Sequence, residues 1–387
     1  MKKTLLSLAT ITTLSLTQAN ATTTSEIEQL KAQMSEMSKK IEALEKQDSA
    51  KLNRKFEKAT LVKSKLPILK FSGKHYLGFV SSDDKGEKFE TRRNYLQVKG
   101  YFNEESKDYF RITLDTHQIT DSYFVDEEGN KFGKDTYGTW DVRLKYAYLY
   151  LDEILPYTGV EIGQAHRPWI DYEEHGGWNY RSISKVMVED SNAGHLTNSA
   201  DLGINFKTKT EYFSSELGIF NGEGYHNIED GEGLSAEWRF TGHLFGGGTH
   251  KRKKSSTYAD VSFFGQMNAD SNKHKNEDLD WYGIHAVYNQ PEFLISTQYI
   301  ATESANVNYA GEGYSINGEF RLMEDWNIIG RFDSWEMDED ALTKERTIAG
   351  VAYKYNKYVE FIVNYLGTEL GDEYSDDAFM LTAEVNW

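Results

Sequence analysis

Sixteen stretches of this chain alternate apolar and polar residues with a period of two, and that pattern limits the fold more than anything else in the sequence. Phe110, Ile112 and Leu114 interleave with Arg111, Thr113 and Asp115, and Val142, Leu144, Tyr146, Tyr148 and Tyr150 with Asp141, Arg143 and Lys145. Val359, Phe361, Val363 and Tyr365 stand opposite Tyr358, Glu360 and Asn364. The chain ends the same way, in DAFMLTAEVNW: Phe379, Leu381, Ala383, Val385 and Trp387 share one face, and Ala378, Met380, Thr382, Glu384 and Asn386 the other. Successive side chains of a strand point to opposite faces. The alternation therefore predicts strands at approximately 72–81, 92–103, 108–120, 139–151, 157–166, 197–208, 210–221, 232–242, 257–267, 279–290, 292–301, 312–323, 325–335, 345–355, 357–367 and 377–387.

The connections distinguish between all-β architectures. After even-numbered strands the chain turns quickly, at Asn103–Lys107, Asp152–Pro156, Lys209, Gln290–Pro291, Glu324 and Asn356, whereas after odd-numbered strands it runs on through Gly, Asp, Asn and Glu. Short turns on one side and long loops on the other mark a transmembrane antiparallel β-barrel. One even connection, GHLFGGGTHKRKKSS (Gly242–Ser256), breaks the rule: either the strand count shifts locally or that turn is enlarged. A sheet in hydrocarbon has to close, because an open edge leaves backbone N–H and C=O groups unpaired at several kcal/mol each. Closure puts Phe, Leu, Val and Ile outward, with Tyr146 and Tyr150 suited to the interfacial belts, and leaves charged residues from Arg111 and Asp115 to Arg331, Asp333 and Glu384 facing inward. A secreted β-sandwich or propeller is the rival, since its strands alternate as well.

Composition agrees with the barrel. Mean hydropathy is -0.64, which excludes a bundle of membrane helices but not a barrel whose apolar residues are diluted by a polar set. Aromatics make up 14% of the 387 residues against four prolines. The start reads as a secretory signal over residues 1–21, with Lys2 and Lys3, an apolar Leu5–Leu16 core and the Ala19-Asn20-Ala21 cleavage pattern. Export without cysteine suits a bacterial envelope protein, and a net charge of -18 makes nucleic acid an unsuitable partner.

Residues 22–66 form a separate segment. Ile27, Leu30, Met34, Met37, Ile41 and Leu44 step by three and four with Lys and Glu between them, a coiled-coil seam. The seam weakens at Asp48 and Lys51, so the segment reads either as a stalk that self-associates when copies are held together or as a single amphipathic helix. The barrel is expected over 67–387.

The longest predicted loop, about 167–196, opens RPWIDYEEHGGWNYRSISKVMVED. A sixteen-stranded lumen is too wide for its wall to fill, and a loop this long can fold inward and narrow it; an external loop or subunit contact is the alternative. Trp169, Tyr172, Trp178 and Tyr180 could anchor it, with Gly176-Gly177 permitting the bend. Arg167, Arg181 and Lys185 are set there against Asp171, Glu173, Glu174, Glu189 and Asp190. Fixed charges at a desolvated constriction select permeants, whereas charges on outer loops such as DEEGNKFGKD (Asp126–Asp135) and EMDED (Glu336–Asp340) mainly steer or repel them.

RRNYLQVKGYF (Arg92–Phe102), VRLKYAYLYL (Val142–Leu151), GVEIGQAHRPW (Gly159–Trp169) and ADLGINF (Ala200–Phe206) resemble the phosphate-selective porin O and P family of Gram-negative outer membranes. The resemblance implies a sixteen-stranded homotrimer with three pores, a constriction loop after the fifth strand, and basic residues that draw anions inward. By position these are Arg111, Arg143, Lys145, Arg167, Arg181 and Lys185. Acidic residues mingle with each basic cluster, so passive diffusion of small anions and polar solutes is the expectation rather than phosphate selectivity. The trimer would gather three stalks on the periplasmic side, where they could contact the cell wall. Trp387, an aromatic last residue, resembles the C-terminal signal read by barrel-assembly machinery. An enzyme would need a nucleophile beside a base, and His117, His166, His175, His195 and His285 lie in no such motif, so neither catalysis nor a metal or cofactor is expected. A structural or adhesive barrel using its stalk and acidic loops is the alternative function.

Overall fold

A computed structural model describes residues 35–37, 39–40, 61–63, 68–102, 107–118, 122–125, 131–135, 140–227, 233–269, 278–338 and 342–387. The chain divides into two units, 1–61 and 62–387. In the first, residues 35–37 and 39–40 are helical, with a 2.7 Å Lys40–Glu36 pair one turn apart. Met37 is half exposed there. The signal segment and the other five seam residues, Ile27, Leu30, Met34, Ile41 and Leu44, lie outside the described residues.

The second unit is a closed antiparallel barrel of sixteen wall strands. In chain order they are β1 (Ile68–Ser82), β2 (Gly86–Tyr101), β3 (Tyr109–Gln118), β4 (Trp140–Leu155), β5 (Thr158–His166), β6 (Ala200–Lys209), β7 (Phe213–Phe220) and β8 (Ser235–His243). They continue as β9 (Tyr258–Asn268), β10 (Asp280–Gln290), β11 (Phe293–Ser304), β12 (Gly311–Met323), β13 (Trp326–Met337), β14 (Thr343–Lys354), β15 (Val359–Leu370) and β16 (Tyr374–Asn386). Each pairs with its sequence neighbours, and β16 pairs with β1 from Ala378↔Ser82 to Asn386↔Lys74, so no edge is left open. The last residue completes the seam: Trp387 and Gly73 exchange two backbone hydrogen bonds of 2.8 and 3.0 Å, and the indole Nε1 donates to His75 Nε2 at 3.0 Å. Lipid-facing Phe379, Leu381, Val363 and Ile295 are exposed, while inward Thr382, Asp333 and Ser315 are buried.

All sixteen predicted strands are present, and two local readings need correction. The predicted loop at 82–91 is mostly strand: β1 and β2 stay paired as far as Ser82↔Gly86, with only residues 83–85 between them. Its Lys and Glu residues obscured the alternation but do not prevent extended pairing beyond the apolar band. The connections at 338–342 and 371–373 are short for the same reason, so the contrast between the two rims rests mainly on residues 119–139, 167–199, 221–234 and 269–279. The second correction is in β4. Lys145 is an extra residue between the pairs Leu114↔Leu144 and Thr113↔Tyr146. Such a bulge reverses the parity of everything after it. Tyr146 and Tyr148 are consequently buried in the lumen instead of facing lipid, and Tyr150 lines the lumen with them.

Candidate functional site

Residues 167–199, between β5 and β6, lie inside the barrel against the inward side chains of β9 to β15. A one-turn helix, α1 (Ile170–Glu174), leads in. Trp169 lies flat on Phe264 of β9 with ring centroids 3.6 Å apart and planes within 5°. Trp178, Ile183, Met187 and Leu196 continue the contact onto Ile300, Ile329, Trp335, Ile348 and Ile362. These wall positions form the largest apolar cluster of the inner face, so this side of the barrel is built to receive the loop. Polar anchors lock it: Arg346 of β14 pairs with Asp190, donates to the Lys185 carbonyl at 3.2 Å, and donates to Asp333 at 2.7 Å.

Two sequence-selected residues are buried in these anchors. Arg167, at the root of the loop, pairs with Glu237 at 2.6 Å and Asp201 at 3.4 Å. Glu173 of α1 is fully buried, accepts hydrogen bonds from Trp169 at 3.0 Å and Gln298 at 2.8 Å, and lies 3.8 Å from Arg331. Burial pushes its carboxyl up to about 7, with Arg331 opposing.

The other selected residues of the loop face the open half of the lumen. Arg181 makes a two-point pair with Glu189, at 2.6 and 3.0 Å, and also pairs with Glu174. Lys185 is 3.6 Å from Glu189. Asp171 is 3.4 Å from His175 and 3.8 Å from His166. Arg181, Lys185, Glu174 and Glu189 are therefore paired with one another within the loop.

The wall opposite is arranged differently. Along β1–β4 the cations are held by tyrosines. Lys145 donates to the Tyr95 hydroxyl at 3.0 Å and lies 4.6 Å above that ring, and Arg93 donates to the same hydroxyl at 2.9 Å. Arg111 lies 4.4 Å over Tyr146 and within 3.3 Å of the Tyr148 hydroxyl and 2.9 Å of His166 Nε2. Lys99 covers Tyr109 at 4.3 Å, and Lys70 covers Tyr101 at 4.6 Å. Not all are held so: Arg143 pairs with Asp115 at 2.9 Å, Lys74 with Glu384 at 3.9 Å, and Lys88 and Arg92 share Glu90. On β5–β14 the cations meet carboxylates instead: Lys207 with Glu161 and Glu216, Arg239 with Glu216, Arg331 with Asp333, and Arg321 with Glu319. A tyrosine ring fixes a cation through its quadrupole without cancelling its charge. The β1–β4 wall therefore stays positive where the rest is near balance.

Two groups beside the wall are shifted mainly by burial, with neighbouring cations adding to it. Lys185 is held below its ordinary value by burial, opposed by Glu189 and reinforced by Arg93 and Arg181. His226, between β7 and β8, is pushed down to about 3 by its enclosure among protein atoms, although part of its ring is open, and by Arg143 and Lys185. Arg93, Tyr95, Tyr225 and His226 were not selected from the sequence. Arg92 is an extra residue in β2, between Tyr76↔Arg93 and Leu77↔Thr91. That bulge is what places Arg93 and Tyr95 in the lumen, and the adjacent arginines were its only sequence signal.

Toward the rim that carries Trp387, two cavities open below the loop. One, of about 790 Å³, is bordered by Lys74, Glu174, Arg181, Arg321 and Glu360. The other, of about 600 Å³, is bordered by Lys99, Arg111, Glu161, Lys207 and Asp260.

Fold and lumen together define a sixteen-stranded, porin-like transmembrane barrel with a loop folded against its inner wall. No family model and no curated protein matches the sequence. Solved structures do match in fold. OmpT, an outer membrane protein of Vibrio cholerae, aligns over 84% of this chain and 100% of its own with a TM-score of 0.56 at 11% identity. OmpF of Salmonella typhi, in complex with daunomycin, aligns over 84% and 100% with a TM-score of 0.58 at 11% identity. A substituted Rh. blastica porin aligns over 82% and 100% with a TM-score of 0.53 at 10% identity.

Proposed function

We propose that this protein is an outer-membrane porin, a passive diffusion channel for small polar solutes that prefers anions, and that it has no enzymatic role. The observation carrying the preference is the row of tyrosine-held cations, Lys70, Lys99, Arg111, Lys145 and Arg93, opposite a loop whose Arg181, Lys185, Glu174 and Glu189 are mutually paired. An anion in the remaining passage meets a net positive wall, and low-dielectric surroundings strengthen that attraction. On this reading the loop at 167–199 is the constriction, with Arg181, Lys185, Asp171 and Glu174 on its pore side, Arg143 near its mouth, and Arg167 and Glu173 holding it in place. The resemblance to phosphate-selective porins supports homotrimeric assembly with periplasmic stalks, cell-wall contact through them, and recognition of Trp387 by assembly machinery.

Planar-bilayer recording tests the proposal. Stepwise conductance with an anion-selective reversal potential is expected, and joint neutralisation by Arg93→Gln and Lys145→Gln should move that potential toward cations. At about 0.1 M salt, each charge removed some 7 Å from the path changes the anion-to-cation permeability ratio about threefold. A folded, inserted protein that stays silent would refute the channel and favour a structural or adhesive barrel. An unchanged potential in the double variant would refute the anion track.

A further inference from the structure

Residues 244–257, between β8 and β9, occupy the rim that carries Trp387. Other connections there are compact, such as 291–292, 324–325 and 355–358. This one is fourteen residues long, and part of it turns back beneath the inner loop. Its glycines are fixed first: Gly247 N–H donates to the Glu211 carboxylate at 2.8 Å and Gly248 N–H to the Glu211 carbonyl at 2.9 Å. The basic run that follows then enters the lumen beneath α1. Arg252 lies 3.6 Å over the Tyr172 ring, donates to the Tyr172 carbonyl at 2.8 Å and faces Asp260 at 3.7 Å. Its guanidinium fills the space that a Cβ on Gly176 would need, so a side chain there would have to displace Arg252. Lys254 bonds the Tyr180 hydroxyl and the Glu319 carboxylate, each at 3.2 Å. Arg321 donates to the Lys254 carbonyl at 3.0 Å, and Tyr258 donates to the Gly176 carbonyl at 3.0 Å.

The charges of the turn are not equivalent. Arg252 has Asp260 and Lys254 has Glu319, so each is offset. Lys251 is exposed, makes no ion pair among the described residues, and borders both cavities below the loop. Lys253, two residues on, is also exposed but borders neither of them. Of the charges on this turn, Lys251 is the one that is unpaired among the described residues and borders either cavity.

We propose that this turn is a second selectivity element of the channel: Arg252 and Lys254 brace it beneath the inner loop, and Lys251 sets the charge of the exit. The inference rests on the porin reading above. A brace that docks against both Tyr172 and Tyr180 also closes the space under the loop, so ions are kept to the passages that Lys251 overlooks.

The test compares wild type, Lys251→Gln, Lys251→Glu and Lys253→Glu as full-length channels in planar bilayers, with the salt gradient applied in each direction. At about 0.1 M salt the anion-to-cation permeability ratio should fall about threefold in Lys251→Gln and about sevenfold in Lys251→Glu. At about 1 M the change should shrink to within about 1.5-fold. Because the charge lies at one end of the pore, Lys251→Glu should also make the current–voltage curve asymmetric. Lys253→Glu should match wild type. Lys251→Glu channels that conduct with the wild-type ratio and symmetry would overturn the inference and leave the porin reading standing. A shift of equal size in Lys253→Glu would overturn it too, by assigning the effect to the overall charge of the rim. Absence of conductance in wild type would overturn both readings.

Discussion

Replacing Arg346 by methionine should loosen the inner loop while leaving the barrel closed. Arg346 is 2% exposed and ties Asp190 of the loop to Asp333 of β13, adding a hydrogen bond to the Lys185 carbonyl. Breaking a buried ion pair usually costs about 3–5 kcal/mol, because a charge is stranded without its partner. Here the loss is smaller, because Asp333 keeps Arg331 at 2.9 Å and Asp190 keeps the Asn192 N–H at 3.0 Å. About 2–3 kcal/mol is the expected weakening, which multiplies the ratio of detached to docked loop by about 30 to 150. Methionine fills most of the volume, so the apolar contacts of Trp335 and Ile348 persist. Single-channel recording should show a noisier open state, and limited proteolysis of the detergent-folded protein should cut within 181–195 at a correspondingly higher rate. The barrel should still migrate as a folded species in unheated electrophoresis, and Arg346→Lys should restore part of the effect. Noise and cleavage both within about threefold of wild type would refute this assignment of the anchor.

Glu173 gives a pH prediction with a definite sign. Its ordinary value is 4.5 and its value in the docked loop is about 7. Over that interval the docked form holds the proton more tightly, so docking weakens as pH rises, by an amount on the order of 3 kcal/mol once pH exceeds 7. Channel noise should therefore increase from pH 5 to pH 8 and become flat in Glu173→Gln; a variant that keeps the wild-type pH dependence would count against this. Arg167→Ala should lower the yield of folded protein, since it leaves Glu237 and Asp201 buried without their cation, by about 3–5 kcal/mol. Its surviving channels should keep the wild-type reversal potential, because Arg167 is buried beneath the loop; a clear shift toward cations would place it in the pore. Deleting Trp387 removes two backbone bonds to Gly73 and the contact with His75, and should reduce membrane-assembled protein several-fold with conductance per channel unchanged. Normal assembly of the deletion would exclude it as an assembly signal.

The barrel was legible because lipid imposes a rule that acts on every residue of a strand: alternate, and close the edge. Phe379, Leu381 and Val363 met that rule in the sequence, and their faces are as the alternation predicts. The rule fails wherever the count of residues slips by one. Lys145 in β4 and Arg92 in β2 are such slips, and each carries the following residues to the opposite face. Local sequence marks a bulge poorly: Lys145 continues a plausible alternating string, and Arg92 is betrayed only by the arginine beside it. The short connections at 83–85 and 371–373 were missed for a related reason, because polar strands above the apolar band look like loops.

The candidate site was legible in part. Aromatic anchors in a long loop, together with an oversized lumen, pointed to Trp169 and Trp178, and both are buried against the wall. Charge type alone could not separate Arg167, a buried anchor, from Arg181 and Lys185 on the open side. Nor could it show that Lys145 is held by Tyr95 while Lys207 is held by Glu161 and Glu216, because those partners lie 50, 46 and 9 positions away on other strands. The sequence by itself determined the strand number through its periodicity, the barrel through that periodicity together with the contrast of short and long connections, and the lipid-facing residues wherever no bulge intervenes, since these depend on which residue follows which. Only the tertiary structure decided which cations remain uncompensated and which turn enters the lumen, because net charge at a point depends on what the other strands bring within a few ångströms of it.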